Sequence, residues 1–83
     1  MTMTFEEFRK KMGKAETMKQ GDALIAQLTN EQLEQIVDSL MTVKEFSGIT
    51  MRDEYILSMA KIFLEKPEHK KFYLTKKQIK EVA

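Results

Sequence analysis

Threonine recurs in this chain in one setting, with an apolar residue before it and an acid or amide three positions after it. That setting marks helix starts. In a capping box the threonine hydroxyl accepts from the backbone N–H three residues on, while the third side chain reaches back to the cap N–H. Four sites of this kind are read as helix starts: Thr4 with Glu7, Thr29 with Gln32, Thr50 with Asp53, and Thr75 with Gln78. Three also carry a hydrophobic staple, in which the residue before the cap packs on the fourth helical residue. The pairs are Met3 with Phe8, Leu28 with Leu33, and Leu74 with Ile79. At the remaining site Ile49 would face Glu54.

Apolar spacing extends these starts into helices. The first runs from Phe5 to about Met12, with Gly13 as its stop. Residues 15–28 suit a helix less clearly, because Gly21 followed by Asp22 could end one and cap another. The third carries Leu33, Ile36, Val37, Leu40 and Val43 on one face and stops at Ser47 and Gly48. The fourth runs from Met51 to about Lys66, before Pro67. A loop or turn through Phe72 and Tyr73 leads to a last helix over Lys76–Glu81. No segment alternates as a half-buried strand does. The expected fold is all-α: a compact bundle of four to five short helices, without a sheet, in one domain over residues 1–83.

The chain has no cysteine, so no disulfide or thiolate metal site is available to it. Charged residues in the first twelve positions do not read as a secretory signal, and the longest apolar stretch, Tyr55 to Leu64, is half of what a membrane span needs. A cytoplasmic location is expected, with no membrane contact.

Catalytic groups are scarce. His69 is the only histidine and lies among charges in Pro67-Glu68-His69-Lys70-Lys71, which reads as a solvated loop. There is no second histidine for a metal, no phosphate-cradling glycine loop and no nucleophile elbow. The sequence therefore predicts a protein that is not an enzyme and needs no cofactor or metal.

Two charged regions stand out. Projected around the third helix, Glu31, Glu34, Asp38 and Glu45 form a narrow acidic stripe beside the apolar face. Each like-charged pair there costs a few tenths of a kcal/mol, which solvent tolerates or a cationic partner relieves. Near the stripe, Met41 and Met51 are surface candidates, and Phe46 projects away from the apolar face.

Beyond residue 60, seven lysines stand against three acids, whereas the first sixty residues hold seven basic and ten acidic side chains. The basic end comprises Lys66, Lys70, Lys71, Lys76, Lys77 and Lys80, with Phe72 and Tyr73 between. It could track nucleic-acid phosphates and stack on bases, bind an acidic protein, or fold back on the acidic stripe. Its plainest reading is that Phe72 and Leu74 fill the core while the lysines keep the surface soluble. Ser47-Gly48-Ile49-Thr50 also resembles the turn of a degenerate helix-turn-helix, although Asp53 and Glu54 would meet phosphates at the head of its reading helix.

The expectation is a small regulatory or inhibitory protein that binds another protein through Glu31, Glu34, Asp38, Met41, Glu45, Phe46 and Met51. A bacterial or phage accessory factor would have this composition. The alternatives are a nucleic-acid-binding regulator using the basic end or the helix-turn-helix, and a homodimer through the same patch.

Overall fold

The computed structural model describes residues 3–82. Five α-helices and one 3₁₀ segment follow in order: α1 (Phe5–Lys14), α2 (Met18–Ala26), α3 (Asn30–Ser47), α4 (Met51–Glu65), the 3₁₀ segment (Pro67–Phe72) and α5 (Lys76–Val82). No strand occurs among the described residues, so the chain is an all-α bundle.

Each of the four expected threonines caps its helix, accepting from the N–H of Glu7, Gln32, Asp53 or Gln78 at 3.1–3.2 Å. The return bond closes at two of the four, while Glu7 instead accepts from the Thr4 hydroxyl at 3.4 Å. Gln32 and Gln78 accept from the backbone N–H of Thr29 and Thr75 at 3.0 and 2.9 Å. Asp53, one methylene shorter, makes no such return bond. A fifth box, Thr17 with Gln20, starts α2. It escapes the sequence pattern because the charged Glu16, not an apolar residue, precedes it.

Gln32 does a second job. Its Oε1 closes the cap while its Nε2 donates to the Met3 carbonyl at 2.6 Å, tying the segment before α1 to the head of α3. Glutamate would keep the cap and lose this donor. We expect Gln32→Glu to destabilise the fold by about 1–2 kcal/mol in urea titration, the cost of an unmade, partly buried hydrogen bond. Gln78→Glu, at a box that serves its own cap, should be nearly neutral. Equal effects at the two positions would remove the role given to Met3.

The staples deliver their residues to the core: Met3, Phe8, Leu28, Leu33 and Leu74 are buried, and Ile79 packs beside them. α4 is the central element. It buries Ile56, Leu57, Ala60 and Phe63 and packs against α2, α3 and the 3₁₀ segment. α1 packs on α2, and α5 on the 3₁₀ segment, so most packing joins elements close in sequence. The radius of gyration is 12.2 Å, against about 12 Å for a well-packed chain of this length.

Three glycines have three fates. Gly13 lies inside α1, which ends instead where Ala15 turns extended. Gly21 does not break α2. It is buried, and a Cβ there would stand 2.9 Å from the Tyr55 hydroxyl. The bare backbone admits that ring, whose hydroxyl lies 3.1 Å from the Met18 carbonyl and hydrogen-bonds the Asp22 carboxylate. Burial, and then the Asp22 bond, push the Tyr55 phenol well above its ordinary pKa. Gly48 is the true stop: its φ of 77° is a conformation that side chains resist.

Candidate functional site

α3 has 18 residues, so it is about 27 Å long. The core covers only its first part. Leu33 is buried, and Ile36, Val37 and Leu40 are half-buried, but every residue from Met41 to Gly48 is exposed. Val43, which periodicity places with the apolar face, is 47% exposed. The last two turns of α3 project from the bundle, and Thr42 and Ser47 bond back to the carbonyls of Asp38 and Val43.

At the end of this projection the chain turns at Gly48 and enters α4. The corner holds Phe46 at 82% and Met51 at 90% exposure, with Met41 and Val43 each about half exposed one to two turns back. By helical rotation Met41 and Phe46 flank the acidic stripe on opposite sides. Glu31, Glu34, Asp38 and Glu45 of that stripe are all exposed. Across the corner, Lys44 Nζ meets Glu54 Oε1 at 2.8 Å. This explains why Glu54 stands where a staple residue would be: it braces the corner, although a half-exposed pair is worth only about 0–1 kcal/mol.

The basic end departs from its sequence reading in three places. Lys70 is not a surface contact. It is buried, and its Nζ donates to the Leu28 carbonyl at 2.9 Å and Asn30 Oδ1 at 3.3 Å, joining the 3₁₀ segment to the α2–α3 junction. Burial holds its amine below the usual lysine pKa. Phe72 does not fill the core but is 70% exposed. Tyr73 is half-buried and takes the inner place, edge-on to Phe63 with ring centroids 5.7 Å apart, and Leu74 follows it inward. Lys66, Lys71, Lys76, Lys77 and Lys80 stay exposed. Among the described residues the ion pairs are Lys10–Glu6 and Lys44–Glu54, so the basic end does not clasp the acidic stripe of its own molecule.

His69 is half-buried rather than free in a loop, and its ring stands edge-on to Phe72 at 5.9 Å. Met18 is 71% exposed at the first position of α2. No group of three His, Cys, Asp or Glu could hold a metal ion among the described residues. No helix described is long and apolar enough to cross a membrane. α4, the reading helix of the supposed helix-turn-helix, has most of one side in the core, and its first turn keeps Asp53 and Glu54.

No family profile, curated protein or solved structure matches the chain.

Proposed function

We propose that this chain is a small, non-catalytic regulatory or inhibitory protein of the cytoplasm that binds a protein partner through the α3–α4 corner. One observation carries the reading. A helix end that projects beyond its own core displays Phe46 and Met51 almost fully exposed, beside Met41 and Val43. Large exposed apolar side chains set among charges are the kind of surface that a protein partner covers. Methionines suit such a surface because they adapt to irregular partners.

Glu31, Glu34, Asp38 and Glu45 give the corner its selectivity. Their mutual repulsion is relieved when a basic partner docks, and their field raises the association rate more than the final affinity. Phe46 is the expected anchor, since binding energy concentrates in a few buried aromatic or arginine side chains.

The test is capture from cells that express the chain naturally, followed by titration of the purified partner. Phe46→Ala should weaken binding by about 2 kcal/mol, roughly thirtyfold, with the dissociation rate bearing most of the change. Reversing the charge at Glu34 and Asp38 should slow association and reduce its salt dependence. Unchanged binding in both folded variants would refute the corner as the interface. Sedimentation at several concentrations identifies the case in which the partner is a second copy.

A further inference from the structure

The exposed basic end is not used by that reading. We infer that it binds single-stranded nucleic acid, with Phe72 as the stacking platform and Lys66, Lys71, Lys76, Lys77 and Lys80 as phosphate contacts.

Register is the first support. Phe63 draws Tyr73 inward and Leu74 joins the core, while buried Lys70 fixes the turn before them to Leu28 and Asn30. Phe72, between these anchors, is turned outward and 70% exposed. An exposed ring suits a partner with a flat apolar face.

The surroundings favour a base as that face. Lys71 Nζ lies 5.7 Å from the Phe72 centroid, and the His69 ring stands against its edge. A shallow groove of about 260 Å³, lined by Asn30, Pro67, Glu68, Lys71, Leu74 and Ile79 among others, runs between the 3₁₀ segment and α5, and of the exposed lysines Lys71 lines it. Between residues 65 and 80 the exposed acids are Glu65 and Glu68, against the five exposed lysines. The whole chain carries only +1, so attraction to phosphate is local to this end.

Duplex DNA fits less well than a single strand. The projecting ring needs an unstacked base.

The test is fluorescence anisotropy with a labelled oligothymidine of about 20 nucleotides, on the full chain, between about 50 and 200 mM salt. Binding should weaken with salt, with a log–log slope of about −0.7 for each lysine engaged. Phe72→Ala should reduce affinity about 5- to 150-fold with little change in slope, and Phe72→Trp should restore it. Combined Lys76→Gln and Lys77→Gln should flatten the slope by about 1.4. Phe46→Ala, at the opposite candidate surface, should leave oligonucleotide binding unchanged. Absence of binding at 50 mM salt, indifference to both Phe72 substitutions, or equal binding of polyglutamate would overturn the inference.

Discussion

Phe63→Ala is expected to remove about 3–5 kcal/mol of folding stability, the range for truncating a fully buried phenylalanine. The side chain has no solvent exposure and stands where α4 meets the 3₁₀ segment. Its edge contact with Tyr73 adds about 0.5–1.5 kcal/mol beyond simple burial. A chain of this length has only about 4–12 kcal/mol in total, so the variant should melt far below the parent or lack a folded baseline. Urea denaturation followed by circular dichroism reads the loss. A cycle with Tyr73→Ala isolates the ring–ring contribution. A loss below about 1.5 kcal/mol would mean that α4 is not the centre of the core.

Lys70 gives the second large effect and a pH signature. Lys70→Ala should cost about 2–3 kcal/mol, because it orphans the Leu28 carbonyl and strips the packed stem. Lys70→Met keeps the stem and should cost about half as much. In the parent, the folded state holds the amine below its ordinary 10.5 through burial. Between the lowered value and 10.5 the unfolded chain binds more protons, so this group's contribution to stability rises with pH across that window. Lys70→Met should abolish the rise. Tyr55 has the opposite sign: its raised phenol pKa favours the folded state until pH passes its ordinary 10.0, and the advantage is lost above that. The lysine effect is therefore read on the approach to pH 10. An identical profile in parent and Lys70→Met would show that the amine is solvated.

The helix starts were legible because capping is a local transaction between residues three apart, complete within the sequence window that displays it. Thr17 shows the limit of that rule, since its box with Gln20 closes without any staple before it. Gly21 stands out in the sequence as a residue that could end a helix; its reason lies in Tyr55, more than thirty positions away. Periodicity placed Val43 on the correct side of α3 but carries no information on how far the neighbours reach. The choice among Phe72, Tyr73 and Leu74 was hidden by the 3₁₀ turn, whose three-residue repeat shifts which side chain points inward. Lys70 was read with the other lysines because lysine is seldom buried. At the corner, Phe46 and Met51 could be named from sequence, whereas how much of α3 the core covers is set by tertiary packing.

Packing between elements close in sequence also governs how quickly this chain reaches its native state. Few long loops must close before contacts form, which places it with helical proteins that fold in microseconds to milliseconds. The exceptions include side-chain latches such as Gln32 to Met3, Tyr55 to Met18 and Lys70 to Leu28, which span 29, 37 and 42 positions. A fastening that forms only after the rate-limiting barrier acts as a brake on opening rather than as a guide to assembly.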